Sequence, residues 1–203
     1  GSRYEYSNIG YQILGQIIEA KTGMDYETYI LENVLNPMGI ESMSIGMTMP
    51  EQRAEGEVSY FDDYTDECHF PSGQDSNGEP IFEIAPGPDC GAFVIEEKDG
   101  GGGWIATASD YARFIAHIDG TISSSVFENP FEYFTGNPYD ELGGWYGRGV
   151  FVLSEGVDVW QHWGAFSGSS TNFRRVVTDS GEPVIVVMFT NTRPSDPWNS
   201  VRE

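Results

Sequence analysis

Two short segments near opposite ends of the chain carry side chains that could do acid–base chemistry: Tyr6-Ser7-Asn8 and His162-Trp163-Gly164. A free tyrosine has a pKa near ~10, so its phenol is a poor base at neutral pH unless a cation lies nearby. A histidine is mostly neutral at pH 7 and offers little fixed charge. On a β-strand, residues 162 and 164 project to the same face. A donor at His162 and no side chain at Gly164 would let a substrate lie against the strand edge, with Trp163 packed behind it.

Each segment also has a purely structural interpretation. Ser and Asn are common at the start of a helix, where they cap backbone N–H groups. A histidine between Trp160 and Trp163 fits a packed, hydrogen-bonded core residue. The other two histidines, His69 and His117, complete no metal-ligand spacing with His162, so we expect no metal site and no cofactor.

Helices are predicted around the first segment. Residues 8–22 form an amphipathic helix, capped by Ser7 or Asn8 and ended by Gly23. The apolar residues that recur at helical spacing are Ile9, Ile13, Leu14, Ile17 and Ile18. A second helix runs from Asp25 to about Leu35 and ends at Asn36-Pro37.

The middle of the chain has little periodicity. Residues 44–103 are predicted to form short strands and turns in a loop-rich lobe, with an ordinary turn rather than a calcium loop at Asp75–Glu79. The glycines at 100–103 suggest a flexible hinge. After them, residues 109–119 form a helix capped by Ser109 and ended by Gly120.

The last third changes to strand periodicity. Residues 148–154, 157–163, 170–178 and 183–190 are predicted as four strands of an antiparallel meander. The last of them is apolar on both faces, which favours a central strand. The predicted fold class is therefore α+β, an antiparallel sheet flanked by helices with a helical and loop lobe.

The charge balance excludes some partners. Thirty-two acidic residues face ten basic ones, which gives a formal net charge of −22. Such a surface repels nucleic acids and anionic membranes. It suits a salty habitat, where salt screens self-repulsion, and it also suits an ordinary acidic extracellular protein.

The two segments, the helix pair and the stretch from Gly101 through Trp104 to the next helix resemble, in this order, the serine β-lactamase and penicillin-binding-protein superfamily. The similarity is greatest to its class C-like branch of esterases and D-alanyl carboxypeptidases, and it implies a β-lactamase/transpeptidase-like fold. The superfamily's Ser-x-x-Lys element is absent, because the residues three before Lys21 and Lys98 are Ile18 and Ile95. The resemblance therefore implies a domain incomplete at its N-terminus.

The resemblance also implies roles for five residues. Tyr6 would shuttle protons, Asn8 would hydrogen-bond the substrate amide or the motif lysine, and His162 would stand where many β-lactamases have lysine. Gly164 would leave room for the substrate, and the backbone N–H of Ala165 would donate to the oxyanion. Without the lysine's charge, we expect an esterase or peptidase rather than a strong penicillinase.

Because proteins of this family usually work outside the cytoplasm, we expect a periplasmic or secreted protein and favour a disulfide between Cys68 and Cys90 over two free thiols. Residues 1–203 would form one partial domain. Its parts are the second-motif helices (1–43), the loop-rich lobe (44–103), a helical segment (104–145) and the strands with the third motif (146–192).

The functional hypothesis is a partial serine acyl hydrolase whose nucleophile lies outside this chain, so that the chain alone is inactive or nearly so. Its substrate would be an ester, a D-alanyl peptide or a β-lactam. The alternative is a non-catalytic module of the same fold that binds a small molecule or a peptidoglycan peptide. Loss of the N-terminal part would expose apolar surface, so we expect a homodimer or a covering N-terminal segment.

Overall fold

The computed structural model describes residues 5–61, 68–85, 94–122, 145–147, 149–154 and 158–192. Three α-helices and nine β-strands lie in these ranges. The helices are α1 (Asn8–Thr22), α2 (Tyr26–Ile30) and α3 (Ala108–Ile118). The strands are β1 (Ser44–Ile45), β2 (Cys68–Gln74), β3 (Pro80–Ala85), β4 (Trp104–Ile105), β5 (Trp145–Tyr146), β6 (Phe151–Ser154), β7 (Asp158–Phe166), β8 (Ser169–Val177) and β9 (Pro183–Thr190).

The first helix has the limits that its sequence predicts. Ser7 is the cap residue, and its hydroxyl accepts a hydrogen bond from the backbone N–H of Gly10 at 3.0 Å. Gly23 ends the helix in the left-handed conformation, with φ 70°. The second predicted helix is α2 followed by a π-helical turn at Leu31–Leu35. The helical conformation does not end at Asn36-Pro37. It continues as a 3₁₀ turn at Asn36–Met38, because a proline is tolerated in the first turn of a new helix.

The third helix begins one residue earlier than predicted, and its cap is different. Thr107, not Ser109, accepts the hydrogen bond from the backbone N–H of Asp110, at 3.1 Å. The physical reason is backbone conformation: Thr107 is extended, as a capping residue must be, whereas Ser109 is already helical.

The strands of the last third form one antiparallel sheet in the order β5-β6-β7-β8-β9. The meander topology is thus confirmed, with the short strand β5 added. The prediction that the last strand is central is wrong for the described residues, because β9 lies at the end of this order. One of its faces is substantially exposed at Val184, Val186 and Met188. The sequence of β9 shows that both faces of the strand are apolar, but it does not show how many strands pair with it.

The strands of the loop-rich lobe form small two-stranded sheets: β2 pairs with β3 inside the lobe, and β1 pairs with β4, which lies just after the predicted end of the lobe. The turn between β2 and β3 is an Asx turn, in which Asp75 Oδ1 accepts from the backbone N–H groups of Asn77 (2.8 Å) and Glu79 (2.9 Å). An ordinary turn explains this segment. Cys90 lies outside the described residues, so its pairing with Cys68 stays a prediction.

Most of the buried apolar side chains in the described ranges lie in two groups. One is formed by Leu35, Met38, Ile40 and Met43, covered by Trp104 and aromatic residues of α3. The other belongs to the sheet and includes Phe151, Val152, Val159, Trp160 and Phe173. By contrast, α1 exposes a row of aliphatic side chains: Ile9, Ile13, Leu14 and Ile17. None of the helices in the described ranges has the length and apolarity of a membrane span.

Candidate active site

The segment at 99–103 holds the start of α1 close to the main sheet. A methyl group on Gly100 would lie 2.5 Å from the carbonyl oxygen of Tyr11, and one on Gly101 would lie 3.1 Å from the carbonyl oxygen of Asn8. On the other side, a methyl group on Gly102 would lie 3.4 Å from the ring of Phe166, at the end of β7. The sequence suggested a flexible hinge here. In the structure the glycines permit close packing between the two elements that carry the candidate motifs.

This packing brings the two ends of the chain together. Tyr6 precedes α1, and its ring centroid lies 6.5 Å from that of His162 on β7. A third ring, Tyr146 on β5, lies 6.1 Å from Tyr6 and 5.8 Å from His162. The structure therefore places the phenol and the imidazole of the two segments side by side.

Burial sets the protonation states of this cluster. Partial burial, with a smaller effect of the neighbouring Tyr11, raises the pKa of the half-exposed Tyr6. Burial lowers the pKa of His162, although its hydrogen bond to Trp163 opposes this shift. Both groups are therefore neutral at pH 7, and Tyr6 would need a nearby cation to become a base.

His162 lies where β7 extends beyond β6. Strand β6 pairs with β7 only from Asp158 to Gln161, whereas β8 pairs with β7 as far as Phe166. Within the described ranges, residues 162–166 thus have no strand on their β6 side. We call this stretch the open edge of β7.

The hydrogen-bonding directions along the open edge follow from the hairpin. Phe166 and Ser169 flank a two-residue turn, so residues 166, 164 and 162 direct their backbone groups toward β8. Residues 163 and 165 direct theirs to the opposite side. The contact of the Trp163 carbonyl supports this direction. Its oxygen lies 2.8 Å from Nδ1 of His162 and does not pair with a neighbouring strand in the described ranges. The backbone N–H of Ala165 therefore faces the open edge.

The neighbours of Gly164 and the position of Asn8 complete the placement of the five candidate residues. A methyl group on Gly164 would lie 3.0 Å from Oγ1 of Thr171, so a side chain here would crowd β8. Asn8 is exposed at the first position of α1, two residues from Tyr6. Trp163 stacks on the buried Phe151 at 4.4 Å, with nearly parallel rings.

Sequence reasoning missed Tyr146. Its hydroxyl lies 3.1 Å from Nε2 of His162, and its ring packs on Phe151 at 4.7 Å. The signal in the sequence was weak, because β5 has only two residues and no measurable alternation. An aromatic pair directly before Gly147, just upstream of a predicted strand, is the one feature that could have indicated it.

Comparison with known proteins gives a consistent result. The β-lactamase family model matches residues 1–202. Penicillin-binding protein 4 of Amycolatopsis lactamdurans is 26% identical over 199 residues, which cover 92% of this chain and 46% of that protein.

Two solved structures show the same fold. An octameric penicillin-binding protein homologue from Pyrococcus abyssi superposes with a TM-score of 0.64 and 21% identity, over 95% of this chain and 39% of that one. The D-amino acid amidase of Ochrobactrum anthropi in complex with D-phenylalanine superposes with a TM-score of 0.62 and 19% identity, over 96% of this chain and 53% of that one. This chain thus spans about half the length of these proteins, or less.

Proposed function

The chain belongs to the β-lactamase family, and we propose that it forms part of a serine acyl hydrolase that acts on an ester, a D-alanyl peptide or a β-lactam. One observation carries the proposal: Tyr6 lies beside His162 at the open edge of β7. A substrate bound along this edge would meet the phenol of Tyr6 and the N–H of Ala165 together. These are a proton carrier and an oxyanion donor, two of the three components that acyl transfer needs.

The third component is a nucleophile. The sequence contains no Ser-x-x-Lys, so in this proposal the serine and its lysine come from a segment outside the sequence. The lysine would also supply the cation that Tyr6 needs to act as a base. The exposed aliphatic row on α1 begins three residues after Tyr6, which gives such a segment, or a second copy of the chain, an apolar surface to cover.

The first experiment uses the chain itself. We expect no covalent labelling by a fluorescent penicillin and only background hydrolysis of p-nitrophenyl acetate and nitrocefin. Labelling at any serine of this chain would contradict the proposed external nucleophile.

The second experiment adds the polypeptide encoded upstream of Gly1. We expect hydrolysis to appear, and Tyr6→Phe to reduce kcat by about 10²–10⁴-fold, the range typical of a lost general acid–base group. Tyr29→Phe on α2 is the matched control and should keep wild-type activity. A folded extended protein that binds substrates without turning them over would instead support the non-catalytic binding module.

A further inference from the structure

Both ring nitrogens of His162 have defined partners. Nδ1 lies 2.8 Å from the carbonyl oxygen of Trp163, which can only accept, so Nδ1 carries a proton. Burial keeps the imidazole neutral at pH 7, and a neutral imidazole has a single N–H. Nε2 is therefore an acceptor, and the hydroxyl of Tyr146, 3.1 Å away, donates to it.

The ring of Tyr146 is held from several sides. It packs edge-on against Phe151 at 4.7 Å, against Tyr6 at 6.1 Å and against Tyr11 at 6.5 Å. Phe151 is buried and also stacks on Trp163. The sheet and the α1 segment together thus fix the ring whose hydroxyl reaches His162.

We infer that Tyr146 is a positioning residue of the candidate active site, which orients His162 at the open edge of β7 and holds it in the Nδ1–H tautomer. The site role rests on the proposed function, whereas the tautomer does not. In this arrangement His162 has no N–H left to donate to a substrate.

The pKa of His162 can be measured without interference from the titratable groups that contact its ring. In the described part of the chain, the titratable groups whose rings contact it are the phenols of Tyr6 and Tyr146. Strand β6 contributes Phe151, and β8 places Phe173 opposite His162 in the register. Because tyrosines ordinarily titrate near ~10, neither phenol ionises while the imidazole titrates.

The test is nitrogen-15 NMR of the labelled chain without substrate, with His162 assigned by the signal lost in His162→Gln. In the wild type we expect a protonated Nδ1 and an unprotonated Nε2 at pH 7. Tyr146→Phe removes the donor to Nε2, so the Nε2 resonance should move downfield. The pKa of His162 should rise, because the removed bond stabilises the neutral ring.

Tyr11→Phe is the matched control, since it removes a hydroxyl from another ring that packs on Tyr146, and it should leave both signals unchanged. A wild-type Nε2–H tautomer, a cationic ring at pH 7, or equal effects of the two variants would overturn the inference. If Tyr146→Phe does not fold, the wild-type Nε2 resonance decides: a position upfield of a ring nitrogen without a hydrogen bond supports donation from Tyr146, and the position of such a free nitrogen overturns it. Inactivity of the extended protein would contradict the proposed function and leave the tautomer result intact.

Discussion

The phenol ring of Tyr6 and the imidazole ring of His162 lie with their centroids 6.5 Å apart, the first just before α1 and the second on the central strand of the main sheet. Neither element pairs with the other through backbone hydrogen bonds. Their approach depends on a third element, the glycine segment that packs between α1 and the end of β7. Changes in that segment should therefore act on the site without touching either ring.

Gly100→Ala should destabilise the protein by about 1–3 kcal/mol, the usual cost of overpacking. The added methyl group would lie 2.5 Å from the carbonyl oxygen of Tyr11, so α1 or the glycine segment must shift. Urea denaturation followed by circular dichroism measures the effect. Gly10→Ala is the control: its methyl group meets only Ser7 atoms at 3.5 Å, and alanine in a helix should add about 0.5–1 kcal/mol. Equal stabilities of the two variants would contradict the close packing.

Protonation of His162 should weaken the fold in acid. Burial lowers its pKa in the folded state, so below its ordinary value near 6.5 the unfolded chain binds more protons than the folded one. Its contribution to stability is present above that value and is lost as the pH falls through it toward the lowered pKa.

His162→Gln should make the stability decline between about pH 7 and pH 5 shallower, as measured by urea midpoints across this range. If His162→Gln follows the wild-type slope, His162 is not buried as a neutral ring.

The elements whose apolar residues repeat at one period were predicted well from sequence. Helix α1 has its predicted limits because a capping serine, a regular stripe and a left-handed glycine all agree. Strands β7, β8 and β9 were located because each shows strand periodicity over most of its length. Exposed apolar surface was expected from the resemblance, but its positions on α1 and β9 were not predicted, because periodicity shows where a face is apolar and does not show what covers it.

The site could be predicted only where a motif marks it. Tyr6 and His162 stand in recognisable tripeptides, and the structure brings them together. Tyr146 stands in a two-residue strand, whose place beside His162 depends on the register between β5, β6 and β7. Such a register is a property of the assembled sheet, and the local sequence does not encode it.

Asp119→Asn should cost roughly 3–5 kcal/mol, as expected when one partner of a buried ion pair is removed. Asp119 Oδ2 accepts from Nε of Arg175 at 3.0 Å, and the Asp119 side chain is fully inaccessible. The guanidinium of Arg175 also lies 4.0 Å from the ring centroid of Trp160, so the pair connects the end of α3 to β8 and β7.

Urea denaturation at neutral pH measures this cost. Glu41→Gln, which removes one negative charge from an exposed position, is the matched control and should change the free energy of unfolding by less than about 0.5 kcal/mol. A comparably small effect for Asp119→Asn would mean that Asp119 is reached by water in solution.

Tyr111 should make the protein unstable in alkali. Burial raises the pKa of Tyr111 to about 12, while the unfolded chain loses this proton near ~10. Between these values the folded state holds more protons, so stability present below ~10 declines as the pH rises toward 12. The ring packs against Phe114, Phe173 and Phe189, and Tyr111→Phe keeps these contacts.

Tyr111→Phe should therefore reduce the loss of stability between pH ~9 and ~11, as measured by urea midpoints at each pH. Part of the loss should remain, because burial also raises the pKa of Tyr26 and of Tyr6. An unchanged decline in Tyr111→Phe would show that this phenol ionises in the folded protein as freely as in the unfolded chain.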